Sequence, residues 1–192
     1  MADLPQLGDF FVTATRGPLL DRTAAKIIDW ATATRDGEGN WLKAKVNHAG
    51  LYVGPTRQFP EGAILEALRR VRYSSILSYP GAIWSTGRLP ADLTPTPLQR
   101  RRIVDYAESR IGDKYNILDL LAVGLAQERM GHHVDGDEWW VKRLSDDHRE
   151  ICSQLVDAAW QYAGIHFFRD GRLPGLVTPN DLDGLLLPAL AV

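Results

Sequence analysis

The sequence predicts an α+β fold in which one central antiparallel sheet packs against several helices. Three observations predict it. Short segments at 44–53, 63–67 and 71–75 have strand-like apolar content, the first with clear two-residue alternation. Apolar residues recur at helical spacing in 19–34, 97–111, 115–127 and 150–164. The two-residue signals of tight hairpins are absent, so longer loops join the strands.

Taken in chain order, residues 9–13 read as a short strand after a Gly turn. Leu20, Ala24, Ile27, Ile28 and Ala31 give 19–34 its helical stripe. Residues 35–40 (RDGEGN) are turn-rich, and 44–53 is a strand that runs into Gly54-Pro55. Two further strands follow at 63–67 and 71–75. The Pro-rich stretch 85–97 reads as irregular. Pro95 and Pro97 then open a helix that carries Leu98, Ile103, Val104 and Ala107 and stops at Gly112. Residues 115–127 are a second apolar helical stretch, and 128–149 a polar loop. In 150–164, Cys152, Leu155, Val156, Ala159 and Tyr162 share one helix face, with Gly164 as the stop. The tail, with Pro174, Pro179 and Pro188, reads as loop. There is no internal repeat and no low-complexity segment.

Composition bounds the function. A chain of 192 residues is one domain's worth, enough to bury roughly 70% of its unfolded surface. The 45% apolar share is that of a globular protein. With 22 basic and 24 acidic residues the formal net charge is −2, which argues against nucleic-acid binding. The one dense basic run, Arg100 to Arg102, has Asp105 and Glu108 a turn or two on, the pattern of a solvated helix face. A single cysteine rules out an intramolecular disulfide. No secretory signal and no bilayer-length apolar stretch is visible, so the expected location is the cytoplasm, unless the chain is phage-encoded or released.

Four residues are candidates for chemistry. Cys152 stands at the start of a helix, where the positive end of the dipole favours the thiolate. A lone cysteine is also commonly a small buried hydrophobe, and position alone leaves both readings open. His48 lies mid-strand in VNHAGLYVG, where alternation puts Val46, His48, Gly50 and Tyr52 on one face. An imidazole is the natural acceptor of a thiol proton near neutral pH. Glu66 is a carboxylate inside the apolar run AILEA of the next strand. If the two strands pair it can orient His48, and the alternative is an edge-strand surface glutamate. Tyr115 is either a donor to an oxyanion or an amphipathic aromatic at a helix start.

The cluster His132, His133, Asp135, Asp137 and Glu138 has metal-ligand residue types without a zinc or calcium spacing, so neither metal nor cofactor is expected. His148 and His166 have no visible partner. No nucleophile elbow, phosphate loop, paired-cysteine motif or H-E-x-x-H is present.

Set in order, these features form a pattern. Leu7-Gly8-Asp9 precedes a strand, His48, Gly50 and Gly54 form H-x-G-x-x-x-G, and Leu65-Glu66-Ala67 lies in the next strand. Tyr115 follows Gly112, Cys152-Ser153 opens a helix, and the chain ends near Val177-Thr178-Pro179-Asn180-Asp181-Leu182. The set resembles the circularly permuted papain-like cysteine hydrolases of the YiiX type. These are relatives of the NlpC-type cell-wall peptidases and of the lecithin retinol acyltransferase group. In that permuted group the histidine strand precedes the cysteine helix, as here.

The resemblance implies a single permuted papain-like domain over 1–192, with Cys152 as nucleophile, His48 as base, Glu66 as the residue that orients His48, and Tyr115 lining the site. The backbone N–H of Cys152 would belong to the oxyanion hole. The implied activity is that of a cysteine peptidase or amidase, cleaving an amide bond in a peptide or peptidoglycan stem peptide through a thioester. Two alternatives stand beside it: a lipid-directed acyltransferase or amidase on the same Cys-His pair, and a non-catalytic papain-like binding domain. Two departures from the pattern bear on substrate: Ile151 precedes the cysteine where an aromatic is common, and 128–149, with Trp139 and Trp140, looks like an added loop.

Overall fold

The computed structural model describes residues 4–14, 34–35, 41–42, 45–68, 70–114, 152–169 and 177–188. The expected helix at 115–127 and the 128–149 loop lie outside them, as does the expected helix at 19–34 except for Thr34, which is in a strand.

Among the described residues, seven strands and three α-helices run in the order β1 (Phe10–Thr13), β2 (Thr34–Arg35), β3 (Trp41–Leu42), β4 (His48–Gly54), β5 (Ala63–Ala67), β6 (Val71–Ser75), β7 (Ile83–Trp84), α1 (Pro97–Ser109), α2 (Cys152–Tyr162) and α3 (Pro179–Gly184). Five strands form one antiparallel sheet in the order β6-β5-β4-β1-β7, and β2 pairs with β3 alone. The fold is α+β. Among the described residues, no helix is long and apolar enough to cross a membrane.

Alternation along the strands divides the apolar residues between two faces. Phe10, Val12, Ala49, Leu51, Leu65, Ala67 and Val71 point to the main core. There they meet Ile103 and Ala107 of α1 and Leu155, Val156, Ala159 and Trp160 of α2. Trp160 and Phe10 pack edge-on, with centroids 5.8 Å apart. The opposite face carries a smaller cluster of Phe11, Ile64 and Tyr79, flanked by Tyr52, Ile76 and Trp84.

Local chemistry sets the element ends. Thr96 caps α1 reciprocally with Gln99, and Pro97 fills the first helical position, where its missing N–H costs nothing. After α2, Gly164 adopts φ +82°, a left-handed conformation that suits glycine.

Three expectations need correction. The strand expected from residue 44 begins at His48, because the N–H groups of Lys45 and Val46 are taken by the Asn180 side chain instead of a neighbouring strand. Val46 therefore falls in the main core rather than on the His48 face. The tail expected as loop contains α3. Thr178 and Asp181 form a capping box around Pro179 at its start, a start signal that the surrounding prolines obscured.

Candidate functional site

His48 is the first residue of β4, and Glu66 is the fourth of β5. The two strands pair antiparallel with Leu51 opposite Leu65 and Tyr52 opposite Ile64. Continuing that register puts His48 and Glu66 diagonally across the pair on one face, within reach of long side chains. Their contact is direct: His48 Nε2 lies 2.8 Å from Glu66 Oε2. Both side chains are 1% exposed, so Glu66 is a buried carboxylate and not a surface one.

The environment of Glu66 is polar at every oxygen. On β6, Arg72 is its direct cross-strand partner, and the Arg72 guanidinium is 3.8 Å from Oε1. Ser74, two residues further on, donates its hydroxyl to the same Oε1. Tyr79 donates its phenolic hydroxyl to Oε2, the oxygen that also meets His48. Burial alone pushes the carboxyl pKa up, but the hydrogen bond and charge of His48, with the two hydroxyls, outweigh it and hold it below the ordinary glutamate value.

The imidazole sits among aromatic rings, with the Tyr79 ring 5.4 Å away and the Phe11 ring 5.9 Å away in an edge-on arrangement. Gly50, two residues along the same face, makes this possible. A Cβ there would lie 2.7 Å from Phe11 Cε1 and 2.8 Å from the Leu65 carbonyl oxygen. The H-x-G spacing thus has a packing basis: the glycine leaves the space that the Phe11 ring fills beside the histidine.

Cys152 opens α2, which packs against β4. Cys152 is 3% exposed, and its side chain lies beside the His48 imidazole, close enough to act on the imidazole's titration. Because Nε2 is directed at Glu66, Nδ1 is the ring nitrogen left to the thiol. Burial pushes the His48 pKa down, but the hydrogen bonds and negative charge of Cys152 and Glu66 raise it further, to about 9. The arrangement can therefore hold a proton on the imidazole at neutral pH, with the Glu66 carboxylate against Nε2.

The C-terminal segment ties the helix to the strand. Ser153, next to the cysteine, donates its hydroxyl to the Val177 carbonyl at 2.6 Å. Three residues on, the Asn180 side-chain oxygen accepts from Lys45 N at 3.2 Å and Val46 N at 3.4 Å, just before His48. One short stretch thus braces both the start of α2 and the entry to β4.

The structure brings together Cys152, His48 and Glu66. Tyr115, the two tryptophans at 139 and 140, and the acidic and histidine cluster of 132–138 lie outside the described residues. His166 is exposed. Tyr79, Ser74 and Phe11 were not singled out in the sequence. Tyr79 carries no local signal, since its partner lies 13 residues earlier and the short 3-10 turn Ile76–Ser78 brings it back over the sheet. Among the described residues, no group of three or more His, Cys, Asp and Glu side chains is placed to hold a metal ion.

No family model matches the chain, and no curated protein matches it. Among solved structures, it is similar to the metalloprotein YiiX from Escherichia coli O157:H7. The TM-score is 0.50 at 18% identity, over 90% of this chain and 78% of that one. The two share a fold, and the chain has the YiiX-like α+β architecture.

Proposed function

We propose that the chain is a permuted papain-like cysteine hydrolase, a single catalytic domain that cleaves an amide bond. The observation that carries this reading is the 2.8 Å contact of His48 Nε2 with the buried Glu66 Oε2, with the Cys152 side chain beside the same imidazole at the start of α2. Such a thiol, base and orienting carboxylate is the general arrangement of an activated nucleophile.

In the proposed reaction, His48 Nδ1 takes the thiol proton, and the Cys152 sulfur attacks the carbonyl carbon of the substrate. Negative charge develops on the carbonyl oxygen, where the backbone N–H of Cys152 at the free end of α2 is suited to receive it. As the carbon–nitrogen bond breaks, the imidazolium returns its proton to the leaving amine. His48 then removes a proton from water, which attacks the thioester carbonyl. The acid is released and the thiol reforms. Glu66 stays ionised throughout, fixing the Nε2–H tautomer and stabilising the imidazolium. Tyr115 is proposed as a further oxyanion donor on the strength of the family resemblance alone.

The substrate class proposed is a peptide, with peptidoglycan stem peptides as the first to test. Digestion of synthetic stem peptides, followed by mass spectrometry, is expected to show cleavage by the wild-type chain and none by Cys152→Ala. Cleavage that persists in Cys152→Ala removes the cysteine from the mechanism. Intact peptides with the wild-type chain remove this substrate class.

A further inference from the structure

Glu66 is held by more donors than an orienting carboxylate needs. A carboxylate required only to point an imidazole needs one oxygen free to face Nε2. Here both oxygens also accept from hydroxyls. Ser74 donates to Oε1 and Tyr79 donates to Oε2, while His48 Nε2 approaches that same Oε2 at 2.8 Å. Tyr79 makes a second contact: its ring lies 5.4 Å from the imidazole, tilted by 38°. It also packs against Phe11, at 5.1 Å, and the three rings of Phe11, His48 and Tyr79 touch one another. Only 6% of Tyr79 is exposed, so water does not replace its hydroxyl freely.

We propose that Tyr79 is a positioning residue of the His48–Glu66 pair, with Ser74 as its counterpart on the other oxygen. The two hydroxyls keep the buried carboxylate ionised and aimed, and the Tyr79 ring fixes the plane of the imidazole. The inference rests on the reading of Cys152 and His48 as a reactive pair, and adds two residues to it.

The physical argument is one of cost. An ionised carboxylate in a sheet interior loses its hydration and tends to take up a proton instead. A protonated Glu66 offers His48 no negative charge. Hydrogen bonds from neutral hydroxyls favour the ionised form without adding a competing charge. The charged and titratable groups around Glu66 are His48 on β4, Arg72 on β6, Tyr79 beyond it, and Cys152 through His48. Arg72 is half-exposed and 3.8 Å away, beyond hydrogen-bond length, so solvent weakens its help. The two buried hydroxyls therefore do most of the holding beside His48.

The test is the rate of Cys152 alkylation by iodoacetamide between pH 3.5 and 7, for the wild-type chain, Tyr79→Phe, Ser74→Ala, Glu66→Gln and His48→Ala. Tyr79→Phe keeps the ring and removes one donor. Its acidic limb is expected to move up by about one pH unit, the size of a hydrogen bond to a charged group. Ser74→Ala is expected to shift the limb in the same direction, and Glu66→Gln to abolish it. A purely structural role for Tyr79 would lower the melting temperature and leave the limb in place. If Tyr79→Phe does not fold, Ser74→Ala reads the same quantity on the other oxygen. Wild-type limbs in both hydroxyl variants, with Glu66→Gln altered, overturn the proposal and leave the Cys152–His48 pair standing. A profile unchanged in His48→Ala overturns the pair itself.

Discussion

His48 Nε2 on β4 and Glu66 Oε2 on β5 are 2.8 Å apart, in a sheet interior where each side chain is 1% exposed. The contact follows from strand register, since a shift of one residue in β5 would turn Glu66 to the opposite face and into the main core. It also fixes which imidazole nitrogen is available to the Cys152 thiol.

Replacing the charge of Glu66 while keeping its shape tests the electrostatic half of this relationship. Glu66→Gln preserves an acceptor for Nε2–H but removes the negative charge that helps raise His48. The His48 pKa is expected to fall from about 9 toward or below its ordinary 6.5, as burial and the lost charge then act together. Titration of the histidine ring protons by NMR reads this shift. An unchanged value means that Glu66 does not stabilise the imidazolium.

Stability should depend on pH in a direction set by the same pair. The folded His48 pKa, about 9, lies above the 6.5 of an unfolded histidine. Its contribution is therefore full below pH 6.5 and is lost as pH rises through about 9. Glu66 works in the opposite sense. Its folded pKa is lowered from 4.5, so its contribution is present above that value and is lost as pH falls through the lowered one. Thermal unfolding of the wild-type chain and His48→Ala is expected to show a gap that is widest between about pH 4.5 and 6.5 and narrows as pH rises toward 9. A gap constant across that range contradicts the assignment.

Gly50 is expected to tolerate no side chain. In Gly50→Ala the new methyl would meet the Phe11 ring and the Leu65 carbonyl oxygen at under 3 Å. The ring can tilt, but the carbonyl belongs to the β4–β5 ladder. The expected cost is about 1–3 kcal/mol, typical of an overfilled interior, with Phe11 displaced from the imidazole. Chemical denaturation measures the first effect, and ring-proton shifts of His48 the second.

The brace at the C-terminus makes a separate prediction. Asn180→Ala removes the acceptor for the N–H groups of Lys45 and Val46. A stability loss of about 0.5–1.5 kcal/mol is expected. Because those residues lead into His48, Cys152 alkylation near neutral pH is also expected to slow several-fold. A stability loss without a change in alkylation confines Asn180 to structure.

Much of this arrangement is legible in the sequence, and the rest is missing for physical reasons. The strand Ala63–Ala67 is readable from its apolar run, and α1 from Pro97 and the helical spacing of Leu98, Ile103, Val104 and Ala107. Glu66 stood out because a carboxylate inside AILEA has few ways to be solvated. The start of β4 is not legible, because the N–H groups of Lys45 and Val46 just before it are satisfied by Asn180, some 134 residues away in sequence. Tyr79 and Ser74 were invisible for a similar reason: a hydroxyl's partner is decided by how strands cross, and nothing in RYSSILSYPG names it. The short helix α3 is hidden by the prolines around it, although Pro179 occupies the one helical turn where proline is favoured.

The account's central claim is that His48 activates Cys152, and alkylation at pH 6 tests it most directly. An ordinary cysteine is only roughly 0.3% thiolate at that pH, so its reaction with iodoacetamide is slow. The wild-type chain is predicted to react at Cys152 at least about 10-fold faster than free cysteine, and His48→Ala is predicted to lose that advantage. A Cys152 no faster than free cysteine, and indifferent to His48→Ala, would contradict the account and leave Cys152 a buried core residue.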